Sequence, residues 1–480
     1  MNTPETLDGG LLPDGVDAAT GGYLHPGLSL AEAAALARAQ RPGGRETAEA
    51  REWLRRRNAP NLGTRPGVDP RDLASAGWGV VFSTNINPAV REALAPLLEH
   101  RRRQAAARKE TYYREFDGPA GYQPGDTKAS FLERHGAGGA SPADPREVPY
   151  FLLLVGDPGE IPFDFQHQLD VQYAVGRLCF DTAEEYARYA EAVVAAETGA
   201  ASPRPRRAVL FGPRTPGDVA TERMADYLLG RVAVFLRDEE PGWSIETALG
   251  EAASKERLGS FLNGGGPALL FTATHGMGFP AGDPRQRERQ GALLCHDWPG
   301  PAAWRGPIPE DHYFAAADVG EAARLSGLIT FHYACHSAGT PLLDSYAAAG
   351  TEPRRLAAAD FVARLPQRLL AGGALAAIGH VERTWGHSFL WKGPQTEVFE
   401  DVLQLLLNGW PVGAALETFG QRYATLASEL VEELKRGGLG KRTAPEIAAR
   451  LWTAAQDARN YLLLGDPAAR LILPEKGPVS

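Results

Sequence analysis

The sequence predicts an α/β fold built on a mostly parallel sheet with helices on both faces. Three observations predict it. From Trp78 onward, short apolar runs alternate with amphipathic helical patterns, the order that sets strands side by side with crossover helices between them. The run YFLLLVGD at 150–157 is apolar at almost every position, as a strand buried on both faces must be. The chain has 480 residues, enough to bury a large core without a disulfide or metal staple.

Taken in order, residues 1–75 read as an N-terminal accessory segment. Ser29 and Glu32 form a capping box ahead of an Ala/Leu-rich helix ending at Ala39, and a second helix is expected over 46–57, with Pro60 and Pro66 beyond it. No chemistry is assigned to this segment. Residues 76–480 read as one α/β unit, with an N-terminal part over 76–206 and a part over 207–480 that carries the reactive groups. VVF at 80–82 is a strand, and a helix runs from Pro88 toward Arg108. After strand 150–157 come a helix over 182–197, a strand at 208–212 and a helix over 219–230. Strands at 268–274 and 327–334 follow, then a helix over 358–371, a strand at 374–379 and a helix over 394–408. Helices over 413–436 and 445–461 and a short apolar run at 470–473 close the chain.

Composition excludes several classes of function. Lys and Arg number 50 against 59 Asp and Glu, a net charge of −9, which disfavours nucleic acid or an anionic membrane as a partner. The one basic run, Arg101-Arg102-Arg103, falls in a helix and reads as a solvated face. Three cysteines, Cys179, Cys295 and Cys335, cannot make a disulfide framework and suit a reducing compartment. The first residues show neither a basic region nor an apolar core of a signal peptide, and no apolar run approaches the ~20 residues of a membrane span. A soluble, cytoplasmic protein is expected.

The reactive groups stand at two strand ends. Strand 268–274 runs into His275-Gly276, and strand 327–334 runs into Cys335-His336. Ligands of open parallel sheets bind beyond the carboxyl ends of strands. If these two strands are neighbours, an imidazole and a thiol share one cleft. His275 can then take the Cys335 proton and later protonate a leaving amine. The N–H groups of Gly276 and Cys335 are natural donors to an oxyanion. Other polar residues read as structural: His332 on a sheet face, His336 in the loop, Cys179 in the core, and Asp157 and Asp466 as turn formers in Gly-Asp-Pro. Cys295-His296 has no CxxC or HExxH context, so no metal site is expected.

The order strand-His-Gly, then strand-Ala-Cys, resembles the caspase-like cysteine peptidases, among them the gingipains and the CHAT proteases. FLLLVGDPGEIPF (151–163), LDVQYAVGRL (169–178), GGALAAIGHVERTW (372–385) and YLLLGDPAARL (461–471) resemble the gingipain branch in particular. The resemblance spans about 150–475, more weakly from 78. It implies a caspase/gingipain-like sheet and a cysteine endopeptidase with His275 as general base and acid, Cys335 as nucleophile, and Gly276 as an oxyanion donor. It also implies a specificity pocket for a basic residue, with Asp170 as its acid, Trp385 as its wall, and Glu382 as an alternative acid. No cofactor is implied; the partner is a protein or peptide substrate. Thr274 stands where the family usually has Gly, and the family's calcium sites map onto no acidic cluster here. Self-processing is expected in the turn-rich stretches 114–150 or 280–310, the latter holding RQRERQ at 285–290. The rival expectations are a catalytically silent caspase-like binding or scaffold module and a non-peptidase Cys hydrolase or acyltransferase.

Overall fold

The computed structural model describes residues 13–25, 27–40, 63–138, 141–264, 266–346, 352–390, 393–438 and 445–474, so the helix expected over 46–57 lies outside the described residues. In chain order the strands are β1 (Pro13–Asp17), β2 (Trp78–Phe82), β3 (Tyr113–Phe116), β4 (Phe151–Val155), β5 (Ala174–Leu178) and β6 (Arg207–Gly212). They continue with β7 (Ser244–Leu249), β8 (Leu269–Ala273), β9 (Gly276–Gly278), β10 (Leu293–Leu294), β11 (Tyr313–Phe314) and β12 (Ile329–Tyr333). The last are β13 (Gly339–Thr340), β14 (Phe361–Val362), β15 (Ala376–His380), β16 (Thr384–Trp385) and β17 (Tyr461–Gly465).

The main sheet has ten strands in the order β3-β2-β4-β5-β17-β15-β12-β8-β6-β7. Every neighbouring pair is parallel except β15 and β17, which run antiparallel. The sheet is therefore two parallel halves joined back to back. β4, β8, β12 and β15 are buried at every position, which requires layers on both faces. Helices supply them: Pro88–Ala105 packs on Ala183–Glu197, and Glu397–Leu407 packs on Val412–Gly438. No helix among the described residues is long and apolar enough to cross a membrane.

Several elements differ from expectation for local reasons. The closing strand is β17, not 470–473. Gly465, at φ 117°, turns the chain out of the sheet, and Asp466 caps that turn by accepting from Ala468 N–H at 3.0 Å. The helix expected over 219–230 runs on to Glu239 through a π-helical turn at Met224–Leu229. The helix expected from 358 starts at Arg364, because Phe361–Val362 pairs with Gly339–Thr340 instead. The basic run is a sharper correction: Arg101 is 1% exposed, while Arg102 and Arg103 face solvent. Its guanidinium bonds Asp466 at 2.6 Å, both Glu197 oxygens at 2.6 Å and Gln104 at 2.6 Å. It is a tie between helices and sheet.

A second, five-stranded sheet in the order β11-β10-β9-β1-β16 takes up the chain leaving β8. Its strands are short, with few side chains to declare a period of two. The helix Leu30–Ala39, which opens with the expected capping box at Ser29, packs Ala33, Ala34 and Leu36 on the C-terminal helix Pro445–Arg459.

Candidate active site

β8 and β12 are neighbours, paired from Ile329↔Leu269 to Tyr333↔Ala273, and Thr274 N–H extends the ladder to Tyr333 O at 3.1 Å. His275 and Cys335 each stand two residues beyond the last pair, so parallel register carries both to the same sheet edge. A Cβ on Gly276 would lie 1.8 Å from the Cys335 carbonyl oxygen. Glycine is required there because the Cys335 backbone packs directly on it.

His275 is fully buried, and its Nε2 bonds Asp218 Oδ2 at 2.7 Å. Asp218 lies in the loop after β6 and accepts from Tyr23 Oη at 2.8 Å and Thr221 Oγ1 at 2.9 Å. Burial alone would raise the Asp218 carboxyl, but the imidazole and these donors hold it down to about 2. Burial pulls the His275 pKa down, and the carboxylates of Asp218 and Asp14 more than reverse it, leaving it raised. Trp298 and Tyr23 bracket the ring, each with its centroid 5.9 Å away. Nδ1, the other ring nitrogen, is buried with no hydrogen-bond partner. A ring anchored at one nitrogen and unpartnered at the other can take up a proton there.

Cys335 is also fully buried, and burial pushes its thiol up to about 12. Sγ accepts from Thr384 N–H at 3.2 Å and lies 3.6 Å from Thr384 Oγ1. The next residue, His336, has φ 59°, and Glu382 across the cleft has φ 71°. Both are rarely adopted by residues other than glycine, and such conformations cost about 1–3 kcal/mol each. His336 N–H donates to Glu382 O at 2.6 Å, and Ser337 Oγ donates to Ala334 O at 2.7 Å while accepting from His380 N–H at 3.0 Å. These bonds hold the turn that presents the thiol.

The remaining sequence candidates divide. Trp385 follows Thr384 in β16, but its side chain takes the opposite face: the indole donates to Tyr346 Oη at 2.9 Å within the cluster of the Leu30–Ala39 and C-terminal helices, and its N–H donates to Asp457 Oδ1 at 2.9 Å. Glu382 reaches the cleft through its backbone. Its carboxyl is 3.3 Å from Arg383 and is raised by burial to about 7. Asp170 is not brought to the dyad. It ends the helix Phe163–Asp170 in the other half of the sheet and accepts from Val175 N–H, with burial raising its carboxyl against the weaker pull of the Arg177 charge. The helix between β4 and β5 places it there, with Gly420 packed on its carbonyl. His332 bonds Thr272 across the sheet at 2.9 Å, as its face position suggested. Among the described residues, no group of three or more His, Cys, Asp or Glu side chains is placed to hold a metal ion.

Sequence reasoning missed Asp218, Tyr23 and Asp14. Asp14, in β1, is 3% exposed and accepts from Tyr333 Oη at 2.8 Å and Thr384 Oγ1 at 3.4 Å. Burial raises its carboxyl to about 6, against the pull of His275. Asp218 had one available signal, its place after a strand end. Asp14 had none, because PDGVD carries no strand pattern.

No protein-family model matches the sequence, and no curated protein matches it significantly. Among solved structures the chain is similar to one described as a protease, with TM-score 0.45 and 12% identity over 83% of this chain and 80% of that one. It is similar to the Arg-specific cysteine proteinase gingipain R, with TM-score 0.42 and 13% identity over 82% of this chain and 78% of that one. It is also similar to Saccharomyces cerevisiae separase in its securin complex, with TM-score 0.29 and 10% identity over 66% of this chain and 16% of that one.

Proposed function

We propose that the chain is a cysteine endopeptidase in which Cys335 is the nucleophile, His275 the general base and acid, and Asp218 the residue that positions His275. The observation that carries this reading is the open Nδ1 of a His275 anchored on Asp218, at a strand end beside that of Cys335. In this mechanism the Cys335 proton passes to His275 and the thiolate adds to the scissile carbonyl. The oxyanion is met by backbone N–H groups, Gly276 among them. His275 then protonates the leaving amine, and water drawn through the same imidazole hydrolyses the thioester.

A second reading has support in the buried, covered thiol: a silent module that keeps the fold and binds without cutting. A fluorogenic peptide panel varying only the residue before the scissile bond separates the two. Run under reducing conditions, wild type is expected to cleave at least one member, and Cys335→Ala none. No cleavage by either would favour the silent module, and equal rates in both would remove Cys335 as the nucleophile.

A further inference from the structure

The segment that carried no chemistry in the sequence runs through the centre of the site. β1 lies between the strand that follows His275 and the strand that holds the Cys335 thiol. It pairs in parallel with β9, Gly15↔Gly276 to Asp17↔Gly278, and antiparallel with β16, Pro13↔Trp385 and Asp14↔Thr384. Strand addition of this kind is how a cleft grips an extended peptide through its main chain. We propose, resting on the peptidase reading above, that the Asp14–Gly15 bond is the enzyme's own first substrate and that its cleft takes aspartate on the acyl side.

Three placements carry the proposal. The first is the carbonyl. Met277 spends its N–H on Ala292 O and its carbonyl on Gly291 N–H, so Gly276 and Gly278 turn toward β1. Ala18 N–H on Gly278 O at 2.8 Å sets the phase of that ladder. One step earlier, the same alternation aims the Gly276 N–H at the carbonyl of Asp14. The second is the sulfur: a Cβ on Gly15 would stand 3.2 Å from Cys335 Sγ. The thiol thus lies against the residue that follows the Asp14 carbonyl. The third is the side chain. Asp14 is buried on the hydroxyls of Tyr333 and Thr384, beside His275. A carboxyl buried on hydroxyl donors is a poor device for stability and a natural one for recognising an aspartate.

The chain after the bond is tied down separately. Leu24 N–H returns to Gly15 O at 2.9 Å, Tyr23 holds Asp218, and Leu30–Ala39 packs on the C-terminal helix. Cleavage therefore frees the residues up to Asp14 and vacates the β16 side of the cleft, while Gly15 onward stays. Cys335 gives its proton to His275, and its sulfur bonds the Asp14 carbonyl carbon. The bond to the Gly15 nitrogen breaks, and that nitrogen takes the proton from His275. One water then releases the Asp14 carboxylate and restores the thiol.

Intact mass and N-terminal sequencing of the full chain, wild type and Cys335→Ala, test the proposal. The nonapeptide LLPDGVDAA, supplied in trans beside LLPRGVDAA, keeps the test independent of how any variant folds. Wild type is expected to begin at Gly15, Cys335→Ala to stay whole, and the aspartyl peptide to be cut at Asp-Gly at least tenfold faster than the arginyl one. A wild type that cleaves other peptides by Cys335 but keeps its first 14 residues overturns the self-cleavage. A preference for the arginyl peptide overturns the aspartate pocket. If no peptide is cut, the peptidase reading itself fails, and this inference falls with it.

Discussion

Each half of the sheet holds a buried cluster of charge, and the two are finished differently. In the half containing β2 and β5, Arg101 sits between helix and strand, and its donors meet Asp466, Glu197 and Gln104. Glu197 also accepts from His100 at 2.8 Å and Gln104 at 3.1 Å, and Asp466 from the Trp78 indole at 2.9 Å. In the half containing β8 and β12, His275 has one nitrogen bonded and one open, and Asp457 keeps an oxygen without a partner. Both non-glycine residues with positive φ among those described, His336 and Glu382, flank Cys335. The first cluster closes its hydrogen bonds, which is what stability demands of buried charge. The second leaves polar atoms open and backbone strained, which is what chemistry demands and stability would not select.

The contrast can be broken most forcefully at Arg101. Arg101→Met strands two buried carboxylates and is expected to cost about 3–5 kcal/mol of folding stability, read as a lowered urea midpoint. The folded fraction should keep its kcat/KM. The same pair makes stability acid-sensitive. Arg101 and its neighbours hold Glu197 well below the usual carboxylate range, so its contribution is present above the unfolded value of about 4.3 and is lost as pH falls below it. Arg101→Met should remove that acid-sensitive part; an unchanged midpoint would erase the distinction between the clusters.

Asp218→Asn sharpens the contrast from the other side, with a smaller effect and in rate. Loss of the ring's anchor is expected to lower kcat/KM by about 10²-fold. The sign of the pH effect follows from charge. Asp218 raises the His275 pKa, so removing its charge lets the imidazole shed its proton at lower pH. The acidic limb of the kcat/KM profile should move to lower pH. A limb that stays in place would mean that His275 is not the titrating base.

How much of this was legible in the sequence depends on which forces hold each part. β4, β8 and β12 were readable because burial on both faces leaves a mostly apolar run, broken in β8 and β12 only by Thr272, Thr330 and His332, and the runs of β8 and β12 stop where the site begins. His275 and Cys335 stood out against that background. Asp218 follows the turn after β6 and gains meaning only through a tertiary bond to a ring 57 positions on. β1 is a strand because β9 and β16 offer it partners, and its own five residues show no period. Asp170 was placed by resemblance, while the helix before β5 carries it to the Val175 N–H. Arg177 itself donates to Gly156 O at 3.0 Å and Ile161 O at 2.7 Å, so that stretch of the resemblance builds the core.

The central claim is that His275 makes Cys335 a nucleophile, and covalent trapping tests it most directly. Cys179 and Cys295 are free and buried, which makes them internal controls. Wild type and His275→Ala are treated with a peptidyl acyloxymethyl ketone at neutral pH, and the modified cysteine is located by peptide mass. The account predicts one adduct, on Cys335, forming at least about 10²-fold more slowly in His275→Ala. Equal rates in the two proteins, labelling of Cys179 or Cys295 in place of Cys335, or no adduct at all would contradict it.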